Sequence, residues 1–308
     1  MGIFDFLFKK KKDIPETKNE QVLPVRSAKN KAIDHTLLEK VEVAPGLSIP
    51  RAFANHWNEL QAGPCPAVSI IATPAEDLRL EQSKFGHYPY MPLTFDYPRD
   101  ETGEYMYPLV QLNFSEMPAL PGYPRSGYLQ CYISVTDGMF GLDYDALQDQ
   151  KNFRVLFFEE DGIKEYKTDF SFLDKVMQAE HVPVYKPHAL AFKAMDEYVG
   201  PWDARYRRLG LADIHAVAAR YPAEKEKLMS EAYVVFSNSG HKVGGYAAFT
   251  QDDPRMGEGV LEEYLQLLQI DSGEEIMWGD MGIAHFFIHP DDLAKKDFSK
   301  VMYTWDCS

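Results

Sequence analysis

Apolar residues in this chain gather in short runs punctuated by proline and glycine, and those runs predict strands. The segment 67–72, Ala-Val-Ser-Ile-Ile-Ala between prolines, predicts a buried strand. Tyr107–Asn113, 127–135 and 152–159 predict three more. From 86 to 124 the chain is dense in Gly, Pro, Tyr and Phe, a mixture that disfavours helix, because interior prolines lose a hydrogen bond and interior glycines cost entropy. The pattern then changes. Leu190, Phe192, Met195 and Val199 recur at near-helical spacing and predict a helix over 189–199, closed by Gly200 and Pro201. Two further helices are expected over 212–220 and 223–231, separated by Pro222, and two short ones over 36–43 and 51–61. Strands resume over 232–236, 265–270, 283–288 and 301–305.

The chain also repeats itself. A shift of 158 residues lays Lys84, Gly86 and Tyr88 on Lys242, Gly244 and Tyr246. Without a gap it lays Leu109, Gln111 and Asn113 on Leu267, Gln269 and Asp271. After a small gap, 127–133 falls on 282–288 and 155–158 on 301–304. The period far exceeds the roughly 20–50 residues of solenoid units. The expected fold is therefore a strand-rich α+β protein made by internal duplication of a β-rich half-domain about a pseudo-twofold axis, with a helical insert between the copies. The corresponding division is a flexible basic tail (1–33), a first repeat (34–165), a helical insert (166–231) and a second repeat (232–308).

Charge narrows the partners. The net charge is −15, and residues 1–33 carry eight Lys/Arg against four Asp/Glu, leaving −19 for the rest. Such a body repels phosphate backbones and disfavours nucleic acid, whereas it suits a basic protein partner. Within the tail, Met1–Phe8 is apolar and aromatic and Lys9–Lys12 follows directly, a pattern fit for weak contact with an anionic membrane surface through residues 1–12. No apolar run is long enough for a membrane-spanning helix. Three cysteines, Cys65, Cys131 and Cys307, are odd in number and widely spaced, which points to a cytoplasmic protein.

Familiar catalytic arrangements are missing: there is no G-x-S-x-G, P-loop, H-E-x-x-H or G-x-G-x-x-G. No cofactor and no metal is expected. His285 and His289 stand four apart on an expected strand, about 13 Å between Cα positions, too far to share one ion easily. Trp278 and Asp280 are the first candidates for binding, because an indole stacks and a carboxylate accepts hydrogen bonds. His241, Lys242 and Arg255 complete the candidate set.

Several stretches carry a family resemblance. These are Ser83–Pro89, Leu109–Asn113, Gly127–Gln130, His241–Tyr246 followed by Thr250–Arg255, and above all Met277-Trp278-Gly279-Asp280-Met281-Gly282. From about residue 34 onward the chain resembles the YwqG-like family of bacterial proteins. The resemblance implies a mixed, strand-rich, duplicated fold and a loose association with immunity-type or interaction proteins. It supplies no catalytic residues. Three functions follow as expectations: a protein-binding or immunity-type module, an enzyme using His241, Asp280 or His285 in a cleft between the halves, or a membrane-peripheral protein held by its N-terminal segment.

Overall fold

Proline-bounded β-branched runs cannot bury themselves alone, and here they join one antiparallel sheet. The structure, a computed structural model, describes residues 32–256 and 260–308. What the sequence implied for residues 1–31 lies outside them. A hairpin comes first, β1 (Lys40–Ala44) and β2 (Leu47–Pro50), turning at Pro45-Gly46. The large sheet contains β3 (Cys65–Pro74), β4 (Lys84–Phe85), β5 (Tyr107–Asn113), β6 (Tyr128–Ile133) and β7 (Phe153–Phe158). To these it adds β8 (His188–Glu197), β9 (Lys242–Gly244), β10 (Leu265–Asp271), β11 (Ile283–Ile288) and β12 (Met302–Asp306). Their order across the sheet is β12-β11-β10-β9-β3-β8-β4-β5-β6-β7, and every pairing is antiparallel.

That order reads alike from both edges. β9 to β12 lie beyond β3, and β4 to β7 lie beyond β8. The two long central strands are thus crossed over: β3 flanks the later set and β8 the earlier one. The sheet curls until its edges nearly meet. Phe153 of β7 and Tyr303 of β12 have ring centroids 5.1 Å apart, and the segment between β6 and β7 bridges the gap. There Leu147 O accepts from Tyr303 N, and Met139 O accepts from the Trp305 indole. One apolar core, including Leu109, Leu112, Leu129, Leu267, Ile270 and Phe286, fills the interior across both sets of strands. A smaller core joins Ile49 and Phe53 to Ile214, Val217, Leu228 and Ala232 of the helical segments.

Three expectations are overturned. Residues 189–199 were expected to be helical from the near-helical spacing of Leu190, Phe192, Met195 and Val199. They form β8 instead, because all ten residues of β8 pair with β3, and tertiary pairing outweighs a weak local preference. The segment 166–231 therefore contains a central strand as well as helices. The strand expected over 232–236 is the last turn of the helix Lys225–Val235, which buries Leu228 and Ala232 four apart on one face. The helix expected over 36–43 is a 3-10 turn, His35–Leu38, running into β1, where Val41 pairs with Ile49.

Candidate binding surfaces

Two short strands carry the repeated lysines, and each lysine is fully buried. Lys84 faces Gln111 in the ladder and Lys242 faces Gln269. Lys84 Nζ donates to the carbonyls of Arg79 and Leu80, and Gln111 Nε2 donates to those of Leu80 and Gln82. Lys242 Nζ donates to Asn238 O, and Gln269 Nε2 to the carbonyls of Asn238 and Gly240. The glutamine oxygens accept from Tyr90 N and Ala248 N respectively. Ser83 Oγ accepts from Asn113 N at 2.8 Å, and His241 Nδ1 accepts from Asp271 N at 3.0 Å. Leu80 and Asn238, Gln82 and Gly240, Tyr90 and Ala248, Ser83 and His241 are each 158 residues apart. The lysine and glutamine thus fasten the incoming loop to the sheet in both places. Gly86 and Gly244, with φ of 66° and 72°, then turn the chain away through the left-handed region.

Charge differs between the two cradles. Lys242 Nζ lies 2.6 Å from Glu197 Oε1, while Glu197 Oε2 accepts from Tyr246 N. Burial lowers the pKa of Lys242, and Glu197 opposes that shift. Lys84 has no such partner: burial brings it down to about 7, against the pull of Glu81 and Glu116. Beyond Glu197 lies a second buried ionic group. Asp203 meets Arg205 and Arg255, and Arg255 meets Asp253 at 2.7 Å. Burial alone would raise the Asp203 carboxyl, yet Arg255 and Arg205 hold it below the ordinary range. Asp203 also accepts from Ala247 N and Asp253 from Ala204 N, so this cluster ties the loop after β9 to the helix Ala204–Arg208.

Beside the first cradle an aromatic and acidic surface opens. Tyr90 has ring centroids 5.0 Å from both Tyr128 and Tyr166. Tyr166 is 45% exposed, Tyr90 is half-buried, and the Tyr128 ring forms the floor at 4% exposure. None of the three hydroxyls has a hydrogen-bond partner among the described residues. Burial and the carboxylates of Glu160, Glu81 and Glu116 push the Tyr128 phenol up to about 12. Beside the second cradle is a cavity of about 460 Å³ lined by Trp202, Tyr233, Phe249, Ser237 and Asp252 among others.

A family described as a domain of unknown function (DUF1963) matches residues 83–307. The chain belongs to the DUF1963 family. No curated protein matches it. Both cradles and both surfaces fall mainly inside the DUF1963 match. β3 precedes it, although β3 pairs with β8 and β9 at the centre of the sheet.

The DUF1963 fold sets each candidate residue in place. Trp278 is 0% exposed, edge-on to Phe140 and tilted against Trp305. Its loop closes tightly, since a Cβ on Gly282 would stand 1.9 Å from Asp306 O. Asp280 is exposed beside Met281. Arg255 is fully buried in its ion pairs and lies 4.1 Å over the Phe287 ring. Buried as they are, Trp278, Lys242 and Arg255 offer no side-chain surface to a docking protein. His241 is largely enclosed, edge-on to Phe85, and burial followed by the neighbouring His188 lowers it to about 4. His285 is fully buried between Phe249 and Phe287, and burial drives it well below its ordinary value. His241, Asp280 and His285 share no hydrogen bond among the described residues. The tyrosine surface escaped sequence reasoning because an antiparallel bridge of Pro92 with Tyr166, between segments more than seventy residues apart, brings Tyr166 to Tyr90. The tyrosine-dense stretch from 88 to 128 was its one sign. Among the described residues no helix is long and apolar enough to cross a membrane.

Proposed function

We propose that this chain is a protein-binding module that docks a basic segment of a partner on the surface formed by Tyr90, Tyr128 and Tyr166. One observation carries the reading: three packed tyrosines have hydroxyls without a partner among the described residues, and two of them, Tyr90 and Tyr128, lie in the field of Glu160 and of Glu81, the latter 3.6 Å from the exposed Arg79 guanidinium. Aromatic faces attract a guanidinium or ammonium, and carboxylates at the rim hold and steer it. A net charge of −15 favours the same class of partner at longer range. Asp280, exposed on its turn, is an additional rim charge for such a partner. Three free cysteines fit a cytoplasmic protein. The YwqG-like resemblance and its association with immunity-type proteins agree with a binding role. We also read the two sets of strands as an internal duplication, supported by the 158-residue spacing of the matched hydrogen bonds.

The test is calorimetry of the full chain with Arg- and Lys-rich peptides against acidic peptides of equal length. Basic peptides should bind and acidic ones should not. Tyr166→Ala should cost on the order of 2 kcal/mol of binding. Glu160→Gln should mainly slow association at low salt. Equal affinity for basic and acidic peptides would remove the proposal.

A further inference from the structure

The two cradles hold equivalent positions, and what stands on them differs. Tyr90 N and Ala248 N both donate to the cradle glutamine, so Ala248 occupies the place of Tyr90. Tyr128 pairs with Asn113 across the ladder, and Ile283 pairs with Asp271 in the same way. Ser237 and Ser239 likewise stand 158 residues after Arg79 and Glu81. In the first half two phenol rings fill this place. In the second half an alanine and an isoleucine leave it open, as the cavity of about 460 Å³ lined by Ala248 and Ile283.

From this substitution of small residues for phenols, we infer that the cavity beside Ala248 is a binding site for a flat aromatic ring bearing a hydrogen-bond donor, of the phenol or aromatic-amine class. The space corresponds to one that rings occupy in the same molecule, and its volume lies within the range of small-molecule sites, roughly 300–1,000 Å³. Its walls are aromatic. Trp202 and Tyr233 stack with centroids 4.4 Å apart and planes 20° from parallel, and Phe249 adds a third ring. Its polar groups include acceptors and hydroxyls: the Asp252 carboxylate, which has no partner among the described residues, and Ser237 and Ser239, whose hydroxyls there meet each other at 3.2 Å, while the Gln251 amide is already engaged with Cys307 O. A ring with a donor at its edge satisfies both features, whereas a carboxylate-bearing ligand meets Asp252 as a like charge. The inference goes beyond the basic-segment surface and uses none of its residues as contacts.

The experiment is titration of the full chain with tyramine, p-cresol and acetyl-tyrosine-amide, with glucose as a non-aromatic ring, followed by calorimetry and indole fluorescence. Tyramine and p-cresol should bind saturably. Glucose should not. Ala248→Leu, which fills the space, and Tyr233→Ala, at a site 55% exposed, should each weaken binding by about tenfold. Tyr233→Ala keeps the test decisive if Ala248→Leu fails to fold. Tighter binding of acetyl-tyrosine-amide than of tyramine would assign the ring to a partner's tyrosine, and the reverse would assign it to a free small molecule. Failure of every aromatic probe to bind, undiminished binding in Tyr233→Ala, or saturable binding of glucose alone overturns the inference. Tyr166→Ala serves as the control that separates this site from the other surface, since it should leave tyramine affinity unchanged.

Discussion

Lys84 and Lys242 each place Nζ 2.5 Å from the carbonyl oxygen of the residue four positions earlier, Leu80 in one case and Asn238 in the other. Only Lys242 also meets a carboxylate, Glu197. One geometry therefore holds two lysines in different electrostatic states, and the difference is measurable.

Lys84 should make stability rise with alkaline pH. Its folded pKa, about 7, lies below the roughly 10.4 of an unfolded lysine. Between those values the unfolded chain holds more protons than the folded one, so stability rises with pH across the window, by up to about 1.4 kcal/mol per pH unit. Thermal melts of wild type and Lys84→Met from pH 7 to pH 10 should show the wild type gaining on the variant. A constant gap would mean that Lys84 titrates as it does in water.

Acid should expose the buried histidines. His241 titrates near 4 in the fold, and His285 is also lowered. Both are neutral in the folded state while an unfolded histidine charges near 6.5. The stability they contribute is complete above about pH 6.5 and falls as pH drops below it, by about 1.4 kcal/mol per unit for each. His285→Gln places there the residue type found at Gln130, the corresponding position of β6. Melts from pH 7 to pH 4.5 should show a shallower acid loss in this variant than in wild type.

Removing Arg255 should unfold much of the protein's margin. Arg255→Met strands Asp253 and part of Asp203 as buried charges, a change that costs about 3–5 kcal/mol. Urea denaturation should read this as a large fall in midpoint. Arg205→Met should cost less, because Arg255 still faces Asp203.

Trp278→Ala should act on stability and Asp280→Asn on association. An indole at 0% exposure leaves a large void, worth about 3–5 kcal/mol. Asp280 is exposed, so its neutralisation should leave the melting temperature within about 1 degree and slow capture of a basic partner at low salt. Stopped-flow association at two salt concentrations separates the two effects.

Much of the strand framework was legible because burial on both faces writes itself as apolar runs: Tyr107–Asn113 and Ile283–Ile288 are buried at every position. The 158-residue repeat matched Lys84 with Lys242 and Gln111 with Gln269, but the backbone carbonyls that these side chains hold show only in the fold. β8 was misread because Leu190, Phe192, Met195 and Val199 recur at near-helical spacing, and only pairing with β3 decides its state. The Trp278 loop stands out as a motif, and in the fold it combines a buried Trp278 and a tightly packed Gly282 with an exposed Asp280. For a surface assembled across a long separation, such as Tyr90 with Tyr166, the dense tyrosines of one segment are a sign, but the pairing of the two segments leaves no linear trace.

The crossed placement of β3 bears on how the chain reaches this state. Leaving the ribosome ahead of the other strands of the large sheet, β3 pairs with His188–Glu197 and Lys242–Gly244, both made more than a hundred residues later. Until then its backbone is an unpaired edge, as is the β8-facing side of β4. Loop closure over such separations slows folding and lengthens the time in which those edges can meet another chain. A nascent chain stalled before residue 188 is therefore the form of this protein most in need of a chaperone, and the first 187 residues expressed alone should aggregate.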